Sequence, residues 1–330
     1  MTTFTIHAED ALAAAIRNGA AEAGRGSIAG MDTTAAQTLA PEAFRAEGLG
    51  VALGSGGARG LAHVGVLQEL LARGAAPRFV AGTSMGALVG AAYAAGNFGK
   101  FADALGGMDV AAAAALFLDF GFAEAGLVRG RRVMEFLSSF VPPDAEFEEL
   151  PVPFAAMATD VSTGEAVMLR SGNVLEAVRA SISIPGVFAP VKRGGALLVD
   201  GGMSSPVPVA AARALGARRV LAVNVDNRAK CPYATHRLPN GVNKAIGMGE
   251  RLRDAVRREL GFADARGQGV FDMLSRTVRV CEDRIAQWEV AREKPEWAVE
   301  PAVGDIPTLD FSRVDDAVRA GRDAAAALFA

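Results

Sequence analysis

Histidine and cysteine are scarce in this chain of 330 residues, and that scarcity narrows its chemistry before any motif is read. Only His7, His63 and His236 are present, too few and too far apart for a metal cluster to be expected. None stands late in the chain at the end of a strand, where a Ser-His-Asp triad would place its base. Two cysteines, Cys231 and Cys281, do not make a disulfide framework at this length. Aromatic residues are only 6% of the chain, so the core is expected to pack closely spaced helices and sheet through Ala and Gly. Neither sign of charge dominates. A net charge of −3 gives no reason to expect a nucleic-acid partner or a strongly electrostatic membrane anchor. The apolar run at 110–118 is mostly alanine, stops at Asp119, and is far too short to span a bilayer. No basic residue precedes Arg17 and no continuous apolar stretch follows it, so no secretory signal is expected. The default is a cytoplasmic, soluble protein, with peripheral contact with lipid left open.

What is present is ordinary for a globular protein: 51% hydrophobic and 22% charged residues, enough for one large domain or two modest ones. Residues 1–48 are rich in Ala, Gly and Thr and read as a partly ordered N-terminal extension, with short helical text near 10–18 and 41–46. From residue 49 the text alternates between strand and helix. Strands are expected at 49–53, 79–81, 152–159, 165–169, 196–199 and 218–225. Helices are expected after the glycine loop (with Leu61, Val64, Leu67 and Leu71 on one face), from the serine turn to about Gly96, and at 101–118, 130–140, 173–180, 206–215, 243–288 and 313–329. Such alternation implies an α/β layered fold with a central, mostly parallel sheet. It spans residues 49–330, with a core at about 49–225 and a helical C-terminal part at about 240–330. The apolar stretch 101–122 reads either as core packing, the commoner explanation, or as a cover over an acyl groove. The charged helices at 250–259 and 276–293 read as solvated faces.

Three places carry chemistry. Gly82-Thr83-Ser84-Met85-Gly86 is a G-x-S-x-G turn between a short apolar strand and a helix, the layout of a nucleophile elbow. Side chains at Gly82 or Gly86 would clash in so tight a turn, and the helix start beyond it adds N–H groups and a positive dipole end near Ser84. Upstream lies the loop Gly54-Ser55-Gly56-Gly57-Ala58-Arg59-Gly60. A dinucleotide fingerprint fails there because Arg59 occupies the last glycine position and no acidic residue follows about twenty positions on. A phosphate-binding P-loop fails because Gly60 is followed by Leu61 rather than Lys. An oxyanion hole and a plain strand-to-helix turn both remain. Donors of an oxyanion hole are worth about 2.7–4 kcal/mol each. His63, just after this loop, reads as a packing or loop-supporting residue. With no histidine in position, the base for Ser84 falls to a carboxylate. Asp200 ends a strand, precedes Gly201-Gly202, and in a parallel sheet would share the carboxyl edge with Ser84. The bland alternatives are a turn serine and an Asx-turn aspartate.

Taken together, these residues resemble the bacterial patatin-like phospholipases, serine lipid acyl hydrolases marked by a glycine-rich loop, a G-x-S-x-G elbow and a D-G-G/A turn in that order. The matching text here is Ser55-Gly56-Gly57-Ala58-Arg59-Gly60, Gly82–Gly86 and Asp200-Gly201-Gly202. Ala158-Thr159-Asp160, Ala180-Ser181-Ile182-Ser183-Ile184-Pro185-Gly186, Pro206-Val207-Pro208 and Leu309-Asp310-Phe311 add to it, so the resemblance covers about 49–325. It implies a patatin-like three-layer α/β/α fold and a Ser-Asp dyad, with Ser84 as nucleophile and Asp200 as general base. It further implies that the Gly56 and Gly57 amides line the oxyanion hole, with Arg59 and Gly60 supporting the loop and Arg59 near substrate phosphate. No metal or cofactor is implied. The implied activity is cleavage of fatty-acyl esters of phospholipid or lysophospholipid, with thioesters or neutral glycerides as alternatives. A lipid-binding or regulatory protein with little turnover is the competing class. Two residues depart from the pattern: Ser55 replaces a glycine, and Met85 stands where many members have a small residue.

Overall fold

The computed structural model describes residues 48–109, 112–113, 116, 130–226 and 270–330. The expectations for 1–47, for most of 110–129 and for 227–269 lie outside the described residues. Elements follow in the order β1 (Leu49–Leu53), α1 (Ala62–Ala72), β2 (Phe79–Thr83), α2 (Met85–Ala94), α3 (Phe98–Gly106), α4 (Arg131–Ser138), β3 (Phe154–Asp160) and β4 (Ala166–Leu169). Then come α5 (Val174–Ser181), β5 (Val191–Arg193), β6 (Ala196–Asp200), α6 (Val209–Ala214), β7 (Arg219–Val223), α7 (Val270–Glu293), β8 (Trp297–Val299) and α8 (Val314–Ala326). The strands form one sheet in the order β5-β6-β3-β2-β1-β7-β8, with β4 also paired to β3.

This is the expected α/β fold with a mixed, mostly parallel sheet. β1 pairs in parallel with β2 and β7, β2 with β3, and β7 with β8. Alternation along the central strands sends unequal side chains to the two faces. Val51, Leu53, Val80, Leu221 and Val223 face one cluster with Leu67, Leu88 and Ala317, so α1, α2 and α8 cover that side. Ala52, Ala81 and Ala222 face the other, where small residues let Val209 and Ala212 of α6 and Ala286 of α7 approach closely. Phe101 of α3 is fully buried and meets Phe140 edge-on at 5.4 Å, so that part of the 101–122 stretch is core.

Two expectations need correction here. Leu71 is 40% exposed, and the inward stripe of α1 continues through Leu70 instead. Residues 62–67 are buried on every side, so Leu61, Val64 and Leu67 do not by themselves define a stripe. The second concerns β6, which runs antiparallel to β3, so Asp200 does not reach the site along a parallel strand. The short strands β5 and β8 were not expected at all.

α8 crosses α1 with a glycine on each side of the contact. A Cβ on Gly65 would lie 1.8 Å from Val318 O, and one on Gly321 would lie 1.9 Å from Ala62 O. The obstacles are backbone atoms, which cannot swing away. Gly321→Ala is therefore expected to cost about 1–3 kcal/mol by forcing the helices apart. Denaturant unfolding measures this, and a variant as stable as the parent would refute the tight crossing.

Candidate functional site

Pairing along β3 explains why the elbow and the aspartate meet. β4 occupies one edge of β3 from Ala156 to Thr159. The other edge is shared in succession: β2 pairs as far as Thr83 with Met157, and β6 takes over at Ala158 with Asp200. Two strands running toward each other thus end at adjacent rungs, and their next atoms touch. Ser84 Oγ donates to Asp200 Oδ2 at 2.5 Å.

The elbow is held in an unusual conformation. Ser84 has φ 55° and ψ −119°, outside the regions a non-glycine residue ordinarily occupies, and α2 starts at the next residue. Its N–H donates to Ser181 Oγ at 2.9 Å, and Ser181 Oγ donates in turn to Met157 O at 2.6 Å. The turn leaves no room beside it: a Cβ on Gly82 would lie 2.3 Å from Gly86 O, and one on Gly86 2.2 Å from Leu53 O. Asp200 is fixed as firmly. Its N–H donates to Ser183 O at 2.9 Å, its carbonyl accepts from Thr159 Oγ1 at 2.9 Å, and its Oδ1 accepts from Gly202 N at 2.8 Å. The A-T-D and A-S-I-S-I-P-G segments, noted in the sequence without a role, therefore hold the backbone of Ser84 and Asp200 in place. Both are almost fully covered, Ser84 at 4% exposure and Asp200 at 3%. Burial pushes the Asp200 carboxyl up to about 7; hydrogen bonds from Ser84 and Gly202 oppose the rise and the charge of Asp226 adds to it.

The glycine loop lies beside the elbow. Gly54 N donates to Val223 O at 3.0 Å, Ser55 N to Pro206 O at 2.8 Å, and Ala58 N to Thr308 O at 2.8 Å. The intervening amides of Gly56 and Gly57 donate to no other described residue. Gly56 has φ 140° and Gly57 φ 56°, and a Cβ on Gly57 would lie 2.3 Å from Thr308 O. Ser55 directs its hydroxyl to Asp226 Oδ2 at 3.1 Å. Met85 packs its Cβ and Cγ against Gly60, where a Cβ would lie 2.6 Å away. Arg59 is fully buried: Nη2 meets Asp226 Oδ1 at 2.5 Å, and Nη1 donates to Ile306 O at 3.2 Å and Thr308 Oγ1 at 3.1 Å. Its guanidinium thus faces protein partners. His63 is buried, with Nε2 at 2.7 Å from Gly54 O, and burial lowers its pKa to about 4, so it stands neutral behind the loop. His7 and His236 lie outside the described residues.

Three acidic residues close to this site escaped the sequence reading. Asp226 lies just past the end of β7 (Arg219–Val223) and directly after the strand expected at 218–225, so the strand-end argument applied to Asp200 would have found it. Glu282 and Glu289 had no such signal. They lie in α7 within 276–293, which read as a solvated charged face; in fact Glu289 is 4% exposed, and Glu282 Oε1 lies 2.5 Å from the point where a Cβ on Gly202 would sit. Burial and the charges of Asp226 and Asp200 raise the Glu282 carboxyl well above its ordinary value. Among the described residues no group of His, Cys, Asp and Glu is arranged to hold a metal ion, and no helix is long and apolar enough to cross a membrane.

Comparison with known proteins places these features. Residues 51–213 match the family model described as patatin-like phospholipase. An uncharacterized NTE family protein of Mycobacterium tuberculosis is 41% identical over 192 residues, 57% of this chain and 53% of that protein. Another uncharacterized NTE family protein of the same species is 34% identical over 288 residues, 84% of this chain and 46% of that protein. The chain thus spans about half the length of these curated relatives. A protein of Emericella nidulans named lysophospholipase nte1 is 33% identical over 187 residues, 54% of this chain and 12% of that protein.

Proposed function

From the premise that this chain carries a patatin-like phospholipase domain at residues 51–213, we propose that it hydrolyses fatty-acyl esters of phospholipid or lysophospholipid through an acyl-enzyme on Ser84. The observation that carries this reading is the 2.5 Å contact between Ser84 Oγ and Asp200 Oδ2 on a strained elbow, beside two glycine amides with no other described acceptor. Asp200 as carboxylate takes the Ser84 proton while Oγ bonds to the ester carbonyl carbon. The carbonyl oxygen becomes an oxyanion and accepts from the Gly56 and Gly57 N–H groups, with the start of α2 adding a positive dipole end. Collapse expels the alcohol, which leaves with the proton held on Asp200. Water then attacks the acyl carbon and gives its proton to Asp200, the fatty acid departs, and Ser84 regains its proton. Patatin-like phospholipase membership and the lysophospholipase name of the fungal relative favour a glycerophospholipid-type ester over a thioester. No step calls for a metal.

Fluorophosphonate labelling of the folded protein tests the nucleophile. Ser84 is expected to be the modified residue, Ser84→Ala to stay unlabelled, and a panel of phospholipids and lysophospholipids to release fatty acid only with the parent. A folded parent that neither labels nor turns over any lipid would favour a binding protein instead.

A further inference from the structure

α7 presents Glu282, Ala286 and Glu289 on one stripe toward the sheet, and the reaction above uses none of them. Glu289 makes the most of its place. Its Oε1 accepts from Ser205 Oγ at 2.5 Å and its Oε2 from Val207 N–H at 2.8 Å. The segment it grips is in turn the anchor of three others. Ser205 O accepts from Thr83 Oγ1 at 2.7 Å, Pro206 O accepts from Ser55 N at 2.8 Å, and Ser205 N donates to Gly201 O at 2.8 Å. Thr83 immediately precedes Ser84, Ser55 precedes Gly56, and Gly201 follows Asp200. One carboxyl on a helix outside residues 51–213 therefore fixes the three-residue segment from which elbow, glycine loop and aspartate turn all hang. A carboxyl at this depth is costly to hold, and burial pushes it up to about 7 against the pull of its two donors. An apolar residue there would leave the Ser205 hydroxyl and Val207 N–H without their acceptor.

We propose that Glu289 is a positioning residue, which keeps Ser84, Asp200 and the Gly56/Gly57 amides in mutual register through Ser205–Val207; its effect on turnover rests on the hydrolase reading above. Glu289→Met keeps nearly the same side-chain length but carries no oxygen, so the Ser205 hydroxyl and Val207 N–H both lose their acceptor. Ser205→Ala removes one donor alone and leaves Val207 N–H its partner.

The test reads two quantities on the full chain. Amide hydrogen exchange in Glu289→Met is expected to quicken at Val207 and at Ser55, with Leu221 in the middle of β7 unchanged. Lysophospholipid hydrolysis is expected to lose roughly 10- to 100-fold in kcat, with KM within about twofold, because displacement of catalytic groups by an ångström costs that much. Ser205→Ala is expected to fall between parent and Glu289→Met on both scales, and it carries the comparison if Glu289→Met fails to fold. Unchanged exchange at Ser55 and Val207 in a folded variant overturns the proposal, as does a lowered melting temperature with kcat intact. Faster exchange at those amides in a protein whose parent form hydrolyses nothing upholds the Glu289 anchor and sinks the hydrolase reading alone.

Discussion

Asp200→Asn is expected to lower kcat by about 10⁴-fold with the fold intact, the scale on which loss of a proton acceptor disables a serine nucleophile. Asn preserves the shape of the side chain and can still accept from Gly202 N–H through its oxygen. What it cannot do is take the Ser84 proton. On the proposed mechanism the same residue sets the pH dependence. Asp200 works as a base only when ionised, and its pKa stands near 7, so kcat/KM of the parent is expected to fall as pH drops through about 7. Its effect on stability has the opposite sense from the usual aspartate. The folded-state value lies above the ordinary 3.8, so the folded state binds this proton more tightly. Its contribution is greatest in acid and is lost progressively as pH rises from about 4 to 7. Asp200→Asn removes that loss, so the variant should match the parent near pH 4 and exceed it at pH 8. Urea midpoints at the two pH values, with lipid hydrolysis alongside, decide the matter. A variant within tenfold of parental kcat would remove Asp200 from the mechanism.

How far the sequence reached depends on whether the relevant force was local. The G-x-S-x-G turn was legible because its strand-to-helix layout and the contact of Gly82 with Gly86 O are local, although Gly86 itself answers to Leu53 O on β1. The strands β1, β2 and β7 were legible because burial on both faces makes them continuous apolar runs. Asp200 was found for its strand-end position, yet by way of a parallel sheet the structure does not have there. The direction of β6 depends on its pairing with β3 some forty residues earlier, and nothing within Ala196–Asp200 encodes it. Three-residue strands such as β5 and β8 are too short to show a period. The helix 276–293 misled for a related reason. Charge normally marks a solvated face, and only the tertiary partners of Glu289, at Ser205 and Val207, reveal that one of its acids points inward. Arg59 was expected to support its loop, and what it binds was illegible: Asp226 is 167 positions away and Thr308 249.

Arg59→Met is expected to destabilise the protein by about 3–5 kcal/mol, since it strips a buried carboxylate of its partner. Arg59 and Asp226 are both nearly inaccessible, at 0% and 2% side-chain exposure. Asp226 would be left with Ser55 Oγ as its remaining side-chain donor, close enough to Asp200 and Glu282 for its charge to act on both carboxyls. Arg59 has a second task, however. Its Nη1 ties the glycine loop to Ile306 O and Thr308 Oγ1, and Ala58 N reaches the same Thr308 through its carbonyl. The double change Arg59→Met with Asp226→Leu separates the two tasks. Replacing both charges by apolar groups removes the orphaned carboxylate and should restore most of the lost stability. It does not restore the tie to Thr308 or the Ser55 hydroxyl's acceptor, so turnover should stay low while the unfolding midpoint recovers. If the single variant unfolds within 1 kcal/mol of the parent, solvent must reach Asp226 and the pair is not buried in the way its contacts indicate. If the double variant recovers stability and kcat together, Arg59 serves only to neutralise Asp226, and the glycine loop is shaped by its own backbone.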